Sequence, residues 1–189
     1  LSGITKKSLN VFYYACSYAK VDYSNFMNIT ARTALKLIPD PLKTHPVFLC
    51  VDDTMVSKSG KKFENVSKLF NHAAHNGSNY LNGHCFVSIM LCVPVLDHDK
   101  ISYLSVPLGY GYRMWQKKES KLELAASMIR QVMPEFLSKE HVIILCDSWY
   151  TKKNLVSIID EYPNLDLIGN ARIDSVMYDL APERTDVKS

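Results

Sequence analysis

Two hydrophobic periods divide this chain, and the change from one to the other falls near Pro46. Ser8 to Lys20 and Ser24 to Ile38 carry apolar residues at mixed three- and four-residue spacings, which predicts two helices, the second stopped by Pro39-Asp40-Pro41. Beyond Pro46 the pattern is that of strands. Val47 to Val51 is a continuous apolar run, a long polar stretch follows from Thr54 to Gly83, and His84 to Leu96 is rich in Phe, Val, Ile, Leu and Cys. Asp97-His98-Asp99-Lys100 predicts a turn, with Ile101 to Leu108 returning as the second strand of a hairpin. From Lys118 the period is helical again, with Leu122, Ala125, Ala126, Ile129, Val132 and Met133 on one face until Pro134 ends it. Val142 to Cys146 reads as a short buried parallel strand, Thr151 to Tyr162 as a helix closed by Pro163, and Leu165 to Ala171 as a last strand.

The order after residue 46 is strand, strand, strand, helix, strand, helix, strand. An α/β fold with a mixed sheet, three meandering strands and then parallel strands joined through helices, is the ribonuclease H-like arrangement. Here a small α-helical segment precedes it. In that arrangement the first and fourth strands lie side by side and parallel. Val51 runs into Asp52-Asp53 and Cys146 into Asp147, so these carboxylates are expected to converge at the carboxyl edge of the sheet, where ligands of open α/β sheets bind. The expected organisation is a basic helical segment over 1–46, a ribonuclease H-like core over 47–181 and a polar tail over 182–189.

Composition narrows the class. The chain has 189 residues, 47% of them apolar and 22% charged, which suits one domain with a proper core and excludes a disordered chain. No apolar run reaches the eighteen or so residues that span a bilayer, and no secretory signal opens the chain, so a soluble, cytoplasmic protein without a membrane partner is expected. The five cysteines are scattered and form no C-x-x-C, as in a reducing compartment. Cys50 and Cys146 lie inside apolar runs and read as core packing rather than nucleophiles. The start at Leu1 and the polar end read as a piece of something longer.

Net charge is +3, unevenly spread. Lys6, Lys7, Lys20, Arg32, Lys36 and Lys43 face only Asp22 and Asp40 in the first 46 residues, and Lys58, Lys61, Lys62 and Lys68 face only Glu64 between 54 and 84. Basic clusters beside a carboxylate-bearing edge suit a polyanion that is gripped and cut. Carboxylates crowded at such an edge repel unless a cation sits among them, and magnesium, with its preference for hard oxygen ligands, meets that need. Candidate phosphate contacts are Lys58, Lys61, Lys62 and Lys68, with Arg172 beyond the last strand; Trp149 is a candidate stacking surface for a base. His84-Cys85 with His72 and His75 match no structural zinc spacing.

The wording around the aspartates resembles bacterial insertion-sequence DDE transposases. Val51-Asp52-Asp53-Thr54 followed by Lys58-Ser59-Gly60-Lys61 is similar to their first-aspartate motif, Leu145-Cys146-Asp147-Ser148-Trp149-Tyr150-Thr151 to their second, and Lys118-Glu119-Ser120 to the opening of the helix between them. The resemblance covers residues 47 to 178, and the 94-residue interval from Asp53 to Asp147 suits that family. It implies that Asp53, which precedes a threonine, is the first catalytic and metal-binding carboxylate, with Asp52 as the alternative, and that Asp147 is the second. It implies a two-metal site for Mg²⁺ (or Mn²⁺) and, as partner, DNA at transposon ends and target, engaged by a homodimer. Activity would be hydrolysis at element ends and transfer of the freed 3′-hydroxyl. The family's third acidic residue is a glutamate on a later helix, which this chain lacks; Glu183 does not fit the role. A truncated and inactive core is therefore expected. Two other readings remain open: a non-catalytic DNA-binding or assembly module, and a ribonuclease H-like nuclease.

Overall fold

A computed structural model describes residues 7–18, 20, 25–60, 62–64, 66–70, 79–112, 120–171, 173 and 175. Strand β1 (Val47–Ser57) lies in the middle of a mixed sheet, paired antiparallel with β3 (Tyr80–Asp97) and parallel with β5 (Val142–Cys146). Outside β5 runs β6 (Leu165–Gly169), also parallel. The far edge of β3 carries two partners, β4 (Lys100–Tyr112) and the short β2 (Ser67–Phe70). Gly83 is opposed by Ser57 of β1 and by Ser67 of β2, so β2 must lie on the edge away from β1. The meander and the parallel crossovers are those expected of a ribonuclease H-like sheet.

Alternation sorts the sheet into two unlike faces. Val47, Leu49 and Val51 of β1, Val87, Ile89, Leu91 and Val93 of β3, and Val142 and Ile144 of β5 are buried in one core. Helices α2 (Phe26–Leu35), α3 (Lys121–Val132) and α4 (Lys153–Val156) contribute Met27, Ala31, Ala34, Ala125, Ile129, Val132 and Leu155 to the same core. Phe48, Cys50 and Cys92 point to the other face and are half-buried, and Met90 there is exposed. α1 (Leu9–Tyr18) leaves Leu9, Val11, Tyr13, Tyr14 and Tyr18 exposed. Among the described residues no helix is long and apolar enough to cross a membrane.

Three elements differ from their sequence patterns. β1 does not stop at Val51: Thr54, Met55 and Val56 find partners in Phe86, Cys85 and His84, so Asp52 and Asp53 lie within the strand rather than after it. The polar stretch 54–83 is accordingly not one loop but the end of β1, β2 and the start of β3. Charged residues interrupt the apolar run, yet the open face accommodates Asp52, and hydrogen-bonding partners on the other face accommodate Asp53. The helix expected over Thr151 to Tyr162 is a single α-turn followed by a 3₁₀ segment, Ser157–Glu161. The hairpin turn is as expected: His98 and Asp99 both have positive φ, 46° and 62°, the two-residue geometry that matches strand twist.

α3 begins with a capping box. Ser120 Oγ accepts from the Glu123 amide at 3.1 Å, and Glu123 Oε2 accepts from the Ser120 amide at 2.8 Å, which fixes Lys121 as the first helical residue. At the other end, Arg32 of α2 makes a two-pronged ion pair with Glu135, at 2.8 and 3.0 Å.

Leu49→Ala removes a fully buried side chain from the central strand and is expected to cost about 2–5 kcal/mol in urea unfolding; a loss below about 1 kcal/mol would mean that the strand is not in the core. The Arg32 guanidinium holds the Glu135 carboxyl below its ordinary value of 4.5, so this pair stabilises above that value and its contribution fades as pH falls through the lowered native one. Glu135→Gln is therefore expected to flatten the acid limb of a stability–pH curve below about pH 4.5 and leave its shape near neutrality unchanged.

Candidate active site

The parallel pairing of β1 and β5 brings the two aspartate motifs together. Its last registered pair is Val51 with Cys146, and one further step sets Asp52 level with Asp147. Asp52 lies on the open face with Phe48 and Cys50 and is exposed, as is Asp147. Asp53 falls on the opposite face, under α3, where its side chain is 13% exposed. Asp147 begins a turn: its Oδ1 accepts from the Trp149 amide at 3.0 Å, and its carbonyl accepts from the Tyr150 amide at 3.1 Å.

Asp53 is held by three other residues. Lys121 Nζ donates to Oδ1 at 2.9 Å and to Oδ2 at 2.8 Å. The Tyr150 hydroxyl donates to Oδ1 at 3.0 Å, and the Cys85 thiol lies 3.6 Å from Oδ2. Tyr150 is fully buried. Burial, and then the neighbouring Asp53 charge, push its hydroxyl far above the ordinary tyrosine range, so it remains a donor at any physiological pH.

Trp149, next in sequence to Tyr150, has the opposite surroundings. It is 37% exposed, with Lys152 Nζ 3.8 Å and Lys121 Nζ 5.3 Å from its ring centroid. It therefore sits in a cationic setting at the surface. Lysine–aromatic pairs recur past the carboxyl end of β1, where Lys58 lies over Phe63 at 5.4 Å and Lys68 over Tyr80 at 4.7 Å. Ser57 is four residues beyond Asp53, about 13 Å along a strand, so these lysines flank the carboxylates from a distance. Lys62 is exposed. Lys61, Arg172, His72, His75 and Glu183 lie outside the described residues.

The carboxylates do not gather as a two-metal site requires. Among the described residues no group of three or more His, Cys, Asp or Glu side chains converges to hold an ion. The reason is the pleat: neighbouring Asp52 and Asp53 point to opposite faces, and only one of them can serve a given ligand. Hard oxygen donors are present, but Asp53 carries an ammonium, which leaves Asp52 and Asp147 as the carboxylates open to an ion. Cys50 and Cys146 behave as core thiols. Desolvation first, and then a neighbouring Cys92 or Asp147, raises each to about 11, which removes the thiolate that a nucleophile needs.

A family model described as DDE superfamily endonuclease matches residues 15–189. The chain belongs to that family. No curated protein matches it. Two solved structures are distantly similar. One is a cryo-EM structure of the piggyBac transposase synaptic complex with hairpin DNA, 14% identical, with a TM-score of 0.42 over 68% of this chain and 23% of that one. The other is a crystal structure of the Mos1 strand transfer complex, 10% identical, with a TM-score of 0.30 over 92% of this chain and 53% of that one. The chain thus spans about a quarter of the first and about half of the second.

Within this DDE-family chain the residues that sequence reading passed over are Lys121, Tyr150 and Lys152. Tyr150 lies inside the quoted second motif and Lys121 directly follows the quoted Lys118-Glu119-Ser120, but neither lies near Asp53 in sequence. Tyr150→Phe is expected to destabilise the protein by about 1.5–3 kcal/mol in urea unfolding, as loss of a hydrogen bond to a charged group does. A change under about 0.5 kcal/mol would mean that the hydroxyl contributes nothing to holding Asp53.

Proposed function

We propose that this chain is the catalytic core of a DNA transposase, a metal-dependent polynucleotidyl transferase that cuts and joins DNA strands. Membership of the DDE superfamily of endonucleases is the observation that carries the reading, and the aspartate motifs on adjacent parallel strands support it. Asp53 and Asp147 are the proposed catalytic carboxylates, with Asp52 as the alternative to Asp53, and Mg²⁺ or Mn²⁺ is the proposed cofactor. DNA is the proposed substrate, at transposon ends and target, bound by a homodimer. Lys58, Lys61, Lys62, Lys68 and Arg172 are proposed to meet its phosphates, and Trp149 with Lys152 to receive an unpaired base beside the backbone.

A second reading is a DNA-binding or assembly module that keeps the fold without the chemistry. The closed surroundings of Asp53 favour it over a ribonuclease H-like nuclease. The two readings separate in the protein that carries this chain. Asp53→Asn and Asp147→Asn are each expected to reduce Mg²⁺-dependent strand cleavage by more than the ~10–100-fold that loss of an outer partner of a metal ligand costs, while DNA affinity in a gel-shift assay is retained. Cleavage undiminished in both variants would remove the catalytic reading, and loss of duplex binding after charge reversal of Lys58 and Lys68 would leave the binding module standing.

A further inference from the structure

A carboxylate accepts about four hydrogen bonds, two on each oxygen. Asp53 receives four from three donor groups: Lys121 and Tyr150 at Oδ1, Lys121 and Cys85 at Oδ2. Its accepting capacity is therefore filled by the protein itself. The Lys121 side chain is 21% exposed and closes the site from the helix α3 side, while Tyr150 approaches from the turn after β5 and is fully buried. Of the donors, only Lys121 is charged, and only Lys121 rides on a long flexible stem. The other two are fixed by packing, Cys85 on β3 and Tyr150 in the core.

We propose that Lys121 is an internal counter-ion that locks Asp53 in the resting protein and must leave it before a divalent cation can bind. The proposal rests on the reading of Asp53 as a metal ligand given above. A divalent ion needs a lone pair on Asp53, and every one is taken. A second cation drawn to the same carboxylate meets the Lys121 ammonium at close range, where the two repel strongly in a poorly solvated site. Metal and ammonium are thus competitors, and their coupling is reciprocal: whatever factor Lys121 takes from metal affinity, the metal takes from the Lys121–Asp53 pair. Tyr150 stays in both states as a positioning residue, keeping Oδ1 aimed while Lys121 departs. The neighbouring Trp149 ring, already 5.3 Å from Lys121 Nζ, offers the released ammonium a second seat.

Mn²⁺ binding, followed by the loss of the free-ion electron paramagnetic resonance signal, tests this without any turnover. Lys121→Met is expected to bind Mn²⁺ about 10-fold tighter than the unaltered chain or more, within the ~5–150-fold range of couplings between sites. Lys121→Arg, which keeps the charge, is expected to stay within about threefold of the unaltered chain, and Lys121→Met is expected to confer no gain when Asp53 is Asn. A gain of affinity cannot come from damaged folding, so a merely structural role for Lys121 would not produce it. If Asp53→Asn weakens Mn²⁺ binding but Lys121→Met does not strengthen it, the lock is wrong and the metal-site reading stands. If neither Asp53→Asn nor Asp147→Asn alters Mn²⁺ binding, or no variant binds at all, the metal-site reading and the lock fall together.

Discussion

Parallel pairing between β1 and β5 is the constraint on which the rest depends. Five consecutive pairs, from Val47 with Val142 to Val51 with Cys146, fix the two strands side by side. Each is apolar because a parallel strand in the middle of a sheet is covered by helices and by its neighbours. Parallel strands cannot be joined by a tight turn, so the chain must cross over, and the crossover carries α3 back across the sheet. Lys121 reaches Asp53 because it opens that helix, and Tyr150 reaches Asp53 because it lies in the turn that leaves β5. One backbone pairing thus brings two side chains, from positions 121 and 150, to the carboxylate of Asp53.

The electrostatics follow from the pleat. Two adjacent aspartates in a strand cannot share surroundings: Asp53 turns under the helices, Asp52 to the open face. Burying a carboxylate is costly unless it is paired and hydrogen-bonded, and the protein meets that cost with an ammonium, a phenol and a thiol. Asp52 and Asp147 need no such compensation because water reaches them. The site therefore joins one carboxylate that is part of the structure to two that are open to ligands.

The turn after β5 divides its two aromatics between the core and the surface. Tyr150 is drawn fully into the core while its hydroxyl donates to the Asp53 carboxylate, the partner that a buried tyrosine requires. Trp149 remains at the surface among lysines. Stacking of ammonium groups on aromatic faces recurs at Lys58 and Lys68, so the carboxyl end of β1 presents both positive charge and flat apolar surface.

Periodicity and motif wording were enough to place the strands β1, β3, β4, β5 and β6, the helix α3 and the tight hairpin, because burial on one face leaves a repeat that can be read locally. The family was legible from two short motifs for the same reason: their residues are consecutive. The continuation of β1 through Asp53 to Ser57, and β2 beside β3, were not legible, since polar residues become strand only when a partner supplies the hydrogen bonds. Above all, the sequence marked Asp53 as a carboxylate without saying what faces it. Lys121 and Tyr150 stand 68 and 97 residues away, and only the folding of β5 and α3 against β1 brought them within hydrogen-bonding reach. A strand's pattern records which side of each residue is buried; which cation or hydroxyl lies there is decided by packing between distant segments.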